Sequence, residues 1–444
     1  MMIDTHLTKR TDMDRRNQEA PRIHLASLGC AKNLVDSERL LARLATAGGL
    51  VGATAEEADV IIVNTCGFIG PATAESLETI HDYAALKRQG TCRRLLVMGC
   101  LVERDVNLLR TDLPEVDGFF GLGEHEAIVD ASGLEAGPED GARLLLTPSH
   151  TAYLRVSDGC DNRCAYCTIP LIRGPFRSRP AEEILDEARQ LVDLGVRELN
   201  VIGQDTTSYG KDLPGSMSIH ELLGRLGEIP DLRWLRLLYT HPAYFTDALI
   251  EAFATIALLC PYVDIPLQHL SDEILRRMGR RVTQADCIGL IDKLRTRVPG
   301  VAIRTTFIVG FPGETRAQFD ELVNLVERIR FDHVGVFRYS NEIGTAAAEM
   351  RDQISERTKA KRQEALMLAQ QRVVLAKNRS MLGKIVEVLI DRPSDETGLW
   401  IGRTRAQAPD VDSVTLVHGS KVAVGGFVKA QIIDVVGYDL IAQA

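Results

Sequence analysis

Apolar runs of strand length alternate with stretches whose apolar positions recur at helical spacing. RIHLAS (22–27), DVIIVNT (59–65) and RLLVMG (94–99) are short and nearly continuous, as strands buried on both faces are. Between them, NLVDSERLLARLATAG (33–48) carries a helical apolar stripe and stops at Gly48. AESLETIHDYAALKR (74–88) predicts a second helix. Strand and helix in alternation predict an open, parallel α/β sheet over residues 22–132. Residues 131–150 are rich in Gly, Pro and acidic side chains, which is linker composition. Six further strand candidates follow: AYLRVSD (152–158), ELNVIGQD (198–205), WLRLLY (234–239), YVDIPLQ (262–268), AIRTTFIVG (302–310) and HVGVFRYS (333–340). Helical stretches such as EEILDEARQLVDLG and ETRAQFDELVNLVERI separate them. Six such repeats predict a partial (βα)6 barrel over residues 146–378, with its chemistry at the carboxyl ends of the strands. Residues 356–380 read as a long helix with seven Lys and Arg against two Glu, a solvated face closing the barrel. Beyond it, the runs KIVEVLI, SVTLV, KVAVGGFVKAQIIDVV and YDLIA predict a small antiparallel β-barrel over 379–444.

Composition changes this picture little. The 444 residues carry a formal charge of −9, which argues against a chain-wide grip on nucleic acid. No apolar run approaches the roughly 20 residues that span a bilayer. Residues 1–21 are polar, lack the apolar core of an export signal and read as a flexible tail. A cytoplasmic, reducing location is therefore expected. There the nine cysteines are more readily metal ligands or catalysts than disulfides.

The cysteines carry the candidate chemistry. Cys160, Cys164 and Cys167 stand as CxxxCxxC in GCDNRCAYC, just after the first barrel strand. Three thiolates at this spacing suit three corners of a [4Fe–4S] cluster, and no fourth cysteine is near. The competing reading is a zinc knuckle, but zinc sites usually close with four ligands. Cys30, Cys66 and Cys100 each end a strand of the first sheet, the edge where open α/β sheets bind ligands. Their spacings match one strand–helix repeat, so the fold can gather the three thiols. Three core cysteines remain the alternative. Cys92, Cys260 and Cys287 read as core thiols.

The order of a three-cysteine α/β domain, a CxxxCxxC barrel and a small β-barrel resembles the radical S-adenosylmethionine methylthiotransferases, whose last part is called a TRAM domain. SLGCAKNLVDSE, NTCGFI, GCDNRCAYCTIPLIRGPFRSR, YTHP, DIPLQHLSD, FIVGFPGET and FRYSNEIGTAA are similar to the RimO branch. That resemblance implies methylthiolation of the β-carbon of an aspartate in the small-subunit ribosomal protein of the decoding centre, free or within the ribosome. It implies two [4Fe–4S] clusters, on Cys160, Cys164 and Cys167 and on Cys30, Cys66 and Cys100. It also implies S-adenosyl-L-methionine as cofactor and a flavodoxin or ferredoxin as electron donor. Placing a methylthio group on an unactivated carbon requires breaking a C–H bond that general bases cannot ionise near neutral pH, so radical chemistry is apt. The same resemblance places Gly203, Gln204 and Asp205 near the methionine amino group, and Tyr166 and Gly310 near adenine. Arg304 is assigned either to the ligand carboxylate or to a structural ion pair. His241 and His269 follow strands; each reads as a substrate neighbour or a hydrogen-bonded core histidine.

The sister, MiaB-like branch modifies an adenosine of transfer RNA. Residues 382–444 hold six Lys and Arg against eight Asp and Glu, an acidic balance poorly suited to phosphate. A protein substrate is the reading this favours, with direct nucleic-acid binding secondary. Asp410 and Asp412 are expected on an exposed loop of that barrel, facing a basic partner.

Overall fold

The computed structural model describes residues 20–138, 141–215 and 217–444; the tail expected over 1–21 lies outside these except for its last two residues. The chain divides into two compact units, residues 1–144 and 145–444.

The first unit is a five-stranded sheet of order β2-β1-β3-β4-β5, parallel throughout. Its strands are β1 (Arg22–Ser27), β2 (Leu50–Val51), β3 (Val60–Thr65), β4 (Arg94–Gly99) and β5 (Gly118–Phe120). Its helices are α1 (Ala31–Thr46), α2 (Gly70–Arg88), α3 (Cys100–Asp112) and α4 (His125–Ala131). Every residue of β3 is buried. Its alternate side chains enter two cores: Ile62 packs with Leu40, Leu44 and Ile128, whereas Ile61 and Val63 pack with Ile80 and Leu109. The period of two in the strand thus feeds a helical layer on each face. Register aligns the strand ends, with Ser27 opposite Asn64 and Thr65 opposite Gly99. The segments just after β1, β3 and β4 therefore share one edge.

The second unit holds the six expected barrel strands: β6 (Thr151–Arg155), β9 (Glu198–Ile202), β10 (Trp234–Leu237), β11 (Leu259–Asp264), β12 (Ala302–Val309) and β13 (His333–Arg338). They form one parallel sheet of order β13-β12-β11-β10-β9-β6. A two-stranded ribbon, β7 (Ser157–Asp158) and β8 (Arg177–Ser178), brackets the cysteine loop. Leu199, Val201, Leu235, Leu237, Ile303 and Phe307 pack outward into the helical core. The intervening positions Tyr153, Asn200, Arg236, Tyr262 and Arg304 project from the opposite face of the sheet, as alternation requires.

The last five strands close into a barrel: β14 (Ile385–Pro393), β15 (Leu399–Thr404), β16 (Thr415–His418), β17 (Phe427–Val436) and β18 (Asp439–Gln443). It is antiparallel except for the parallel pair β16–β18, which closes it. Arg403 of β15 donates to both carboxylate oxygens of Glu198 on β9, at 3.0 and 2.7 Å, and also to Asp391. Arg236 reaches the same carboxylate at 3.3 Å, and all three side chains are buried.

Two expectations about charged segments are corrected. The helix Glu356–Arg379 is not simply a solvated face: Lys359 and Arg362 are buried, donating to the Tyr339 carbonyl and the Glu314 carboxylate. Asp410 is exposed, as expected, but Asp412 turns toward the (βα)6 barrel. Tyr153 donates to Asp410 at 2.9 Å and Tyr262 to Asp412 at 2.6 Å. The Asp412 side chain is almost fully buried and cannot meet a partner surface.

Candidate active site

Cys30, Cys66 and Cys100 follow β1, β3 and β4 at the shared edge. Cys30 is exposed; Cys66 and Cys100 are buried. Glycines let the backbone crowd here. At Gly29, with φ +90°, an added Cβ would lie 2.8 Å from the Cys66 Cβ and 3.1 Å from its sulfur. Gly99 adopts φ +102°, which only glycine holds without strain. Asn33, one turn into α1 and fully buried, ties the edge together. Its Nδ2 donates to the Leu28 and Thr65 carbonyls, and its Oδ1 lies 3.2 Å from the Cys100 sulfur. Ser76 accepts from the Cys66 amide and donates to the Cys66 carbonyl.

In the second unit, the CxxxCxxC loop is anchored at several points. The Cys160 amide donates to the Gly174 carbonyl, and the Ala165 amide to that of Met278. Gly159 adopts φ +69°, and a Cβ there would fall on the Pro175 carbonyl. Asn162 donates to Asp205 at 2.9 Å and accepts from the Tyr244 hydroxyl at 3.1 Å. Arg280 sits 3.8 Å from the Cys164 sulfur and donates to the Pro266 carbonyl. The three cysteines are partly buried in one loop. Burial, with the neighbouring sulfurs adding to it, pushes the Cys167 thiol up to about 12; burial also raises Cys160. Thiols so placed ionise only against strong positive charge, which iron supplies and a bare loop does not. Among the described residues no three His, Cys, Asp or Glu are grouped to hold a single metal ion. Three thiols without a nearby fourth suit three corners of a cluster better than zinc, whose sites usually close with four ligands.

A cavity of about 640 Å³ opens beside the loop, lined by Cys160, Asp205, His241, Tyr244 and Arg280 among others. His241 accepts from the Ala243 amide and stacks on Tyr244 at 4.9 Å. Burial, then the Arg280, Lys211 and Arg281 cations, lowers its pKa to about 3, so it is neutral. His269 is fully buried, accepting from the Ser271 amide.

The other expected contacts fall in different places. Gly203 and Asp205 follow β9; Asp205 accepts from Asn162, Thr207 and Ser208. Both polar ends of the Gln204 amide are enclosed without a hydrogen-bond partner. Such a group costs about 1–3 kcal/mol unless a ligand meets it, so its surroundings fit a polar cofactor. Tyr166 packs with Met278, Phe311 and Tyr339. Gly310, with φ +73°, lies against the Lys359 side chain, and its amide donates to Glu314. Arg304 is the correction. Its guanidinium pairs with Asp264 at 2.9 Å and Asp412 at 3.5 Å, and it does not line the cavity beside Cys160. The structural ion pair is the alternative that holds.

Family models match in three stretches: residues 22–121 match Uncharacterized protein family UPF0004, 154–326 the radical SAM superfamily, and 382–444 the TRAM domain. Ribosomal protein uS12 methylthiotransferase RimO of Geotalea uraniireducens is 46% identical over 95% of this chain and 98% of its own length. The protein of the same description from Desulforamulus reducens is 44% identical over 95% and 99%. The chain belongs to the RimO family. RimO proteins are radical SAM methylthiotransferases, and this chain is an enzyme of that kind, with S-adenosylmethionine and [4Fe–4S] clusters as cofactors. Its fold is shared by the radical S-adenosylmethionine methyltransferase TsrM from Kitasatospora setae, solved with cobalamin and a [4Fe–4S] cluster. That likeness has a TM-score of 0.53 at 15% identity and covers 74% of each chain. Within this RimO framework, Asn33, Asn162 and Arg280 are site residues that the sequence alone did not single out. Only their closeness to the cysteine motifs hinted at Asn33 and Asn162; Arg280 comes from the loop after the helix Asp272–Arg277, more than 100 positions away.

Proposed function

We propose that the chain transfers a methylthio group to the β-carbon of an aspartate in ribosomal protein uS12. In this reading Cys160, Cys164 and Cys167 hold one [4Fe–4S] cluster, and Cys30, Cys66 and Cys100 hold the second. The observation that carries it is the pair of cysteine triplets, one at the strand-end edge of each unit and neither with a fourth cysteine ligand, in a chain 42–46% identical to RimO proteins over nearly its full length. When bound, the clusters and S-adenosylmethionine supply reducing power, a hydrogen-abstracting radical and the methylthio group.

The chain's own residues do the holding. Arg280 places its guanidinium beside the Cys164 sulfur. The Asn162–Asp205 and Asn162–Tyr244 hydrogen bonds fix the cysteine loop to the end of β9 and to the segment after β10. Gly203, Gln204 and Asp205 are proposed to meet the methionine end of the cofactor, supported by the unpartnered Gln204 amide. Tyr166 and Gly310 are proposed on the adenine side. The proposed division is 22–132, 146–378 and 379–444, with a flavodoxin or ferredoxin donor and a cytoplasmic setting. No helix among the described residues is long and apolar enough to cross a membrane.

The test reconstitutes the enzyme anaerobically and offers it uS12 and unmodified transfer RNA side by side. A methylthio mass shift on the uS12 aspartate is expected; a shift on RNA alone overturns the substrate reading. Replacing either cysteine triplet with Ala should halve the bound iron. With Cys30, Cys66 and Cys100 replaced, 5′-deoxyadenosine should still form under dithionite while the methylthio product disappears.

A further inference from the structure

The cavity beside Cys160 is electropositive although the chain as a whole is acidic. Five cationic side chains line it: Arg163, Lys211, Arg276, Arg280 and Arg281. Against them stand three carboxylates, each already occupied. Asp161 accepts from the Phe176 amide, Asp212 from that of Ser178, and Asp205 from Asn162, Thr207 and Ser208. Arg280 is held by the Pro266 carbonyl and the Cys164 sulfur. Among the described residues, Arg163, Lys211, Arg276 and Arg281 form no ion pair within 4.0 Å. Neutral His241, whose proton is driven off by burial and then by Arg280, Lys211 and Arg281, registers the same positive field.

Lys211 is held within this field by two contacts. Its Nζ lies 3.6 Å from the Tyr244 ring centroid and 3.3 Å from the Ser208 hydroxyl. Tyr244 in turn donates to Asn162 of the cysteine loop, and Ser208 donates to Asp205. A lysine ammonium has three donors, and these contacts engage one N–H and one face. Burial disfavours its charge, so a carboxylate arriving in the cavity gains a partly desolvated, unpaired cation.

We propose that Lys211, supported by Arg276 and Arg281, receives the side-chain carboxylate of the acceptor aspartate and is a specificity-determining residue of the reaction. This rests on the aspartyl substrate proposed above. The carboxylate is what separates aspartate from asparagine, the nearest neutral side chain of the same shape, so recognition at Lys211 sets that distinction.

The test measures equilibrium binding of uS12, and of uS12 with the acceptor aspartate changed to Asn, to the reconstituted holoenzyme at low salt. The native enzyme should prefer the aspartate form by about tenfold. Lys211→Ala should abolish that preference by weakening the aspartate form only, and Lys211→Arg, which keeps the charge, should restore most of it. The proposal is overturned if native enzyme binds both forms equally or if Lys211→Ala keeps the preference. It is also overturned if the substitution weakens both forms alike or lowers affinity for S-adenosylmethionine instead. Failure of the aspartyl reading is separate: it is seen when native holoenzyme leaves uS12 without a methylthio mass shift.

Discussion

The side-chain oxygen of Asn33 lies 3.2 Å from the sulfur of Cys100, across 67 positions of sequence. The same amide donates to the carbonyls of Leu28, which precedes Cys30 by two residues, and Thr65, which precedes Cys66. One buried side chain therefore fixes the approaches to all three thiols.

Asn33→Ala should release these contacts together. Leaving the buried Thr65 carbonyl unmet costs about 1–3 kcal/mol. Iron bound by a chain lacking Cys160, Cys164 and Cys167 should fall well below that of the same chain with Asn33 intact. Iron quantitation against protein, with chemical denaturation of the cluster-free chain alongside, checks both effects.

Gly159→Ala should disable the other triplet. The added methyl meets the Pro175 carbonyl, and φ +69° is strained for any L side chain. Strain of this kind costs about 1–3 kcal/mol and displaces the start of the cysteine loop. Reconstituted protein should lose about half its iron, and S-adenosylmethionine cleavage under dithionite should fall with it. Full iron in this variant contradicts the proposed ligand set.

The acid stability of the second unit should be governed in part by Glu198. Burial pushes its carboxyl up, but Arg403 and Arg236, with hydrogen bonds from Arg403 and Thr151, hold it at about 2, below its ordinary 4.5. A depressed carboxylate stabilises the fold above its unfolded pKa. That stability is lost as pH falls from about 4.5 toward 2. Urea titrations of the cluster-free chain between pH 6 and 3 should show the loss. Arg403→Met should lower stability by about 3–5 kcal/mol at pH 6, because it leaves a buried charge short of its partner. The same variant should flatten the dependence between pH 4.5 and 3.

His241 should contribute no ionisation to the pH–rate profile between pH 5 and 8, because its folded pKa near 3 keeps it neutral there. A base with a depressed pKa favours the unfolded state as pH falls from its ordinary 6.5 toward 3. His241→Gln should therefore reduce acid destabilisation in that window. Nuclear magnetic resonance of the imidazole carbons reports its protonation directly.

Much of the fold was legible because burial and periodicity coincide. DVIIVNT and RLLVMG read as strands since nothing but a two-sided core accommodates such runs, and the cysteines that end them share an edge because the sheet is parallel. β15 was missed: LWIGRT carries Gly402 and the buried Arg403, which break the apolar alternation that marks a strand. Asp412 was misplaced for a related reason. A short acidic loop looks solvent-facing until tyrosine hydroxyls from another element are known to reach it. The cysteine motifs were readable from spacing. Their supporting contacts were not, because Arg280, Tyr244 and Asp205 reach the loop only through the tertiary fold.

The Arg403–Glu198 bond also sets an order for synthesis. Its partners are 205 residues apart, so a growing chain completes β9 long before β15 exists. Until the final stretch leaves the ribosome, Glu198 has only Arg236 and Thr151 to answer it, and the inner face of the barrel stays open to water. A nascent chain arrested before residue 403 would hold a nearly complete cysteine-bearing barrel that cannot seal itself, a natural substrate for chaperones and proteases. Maturation of this enzyme thus waits on its last forty residues.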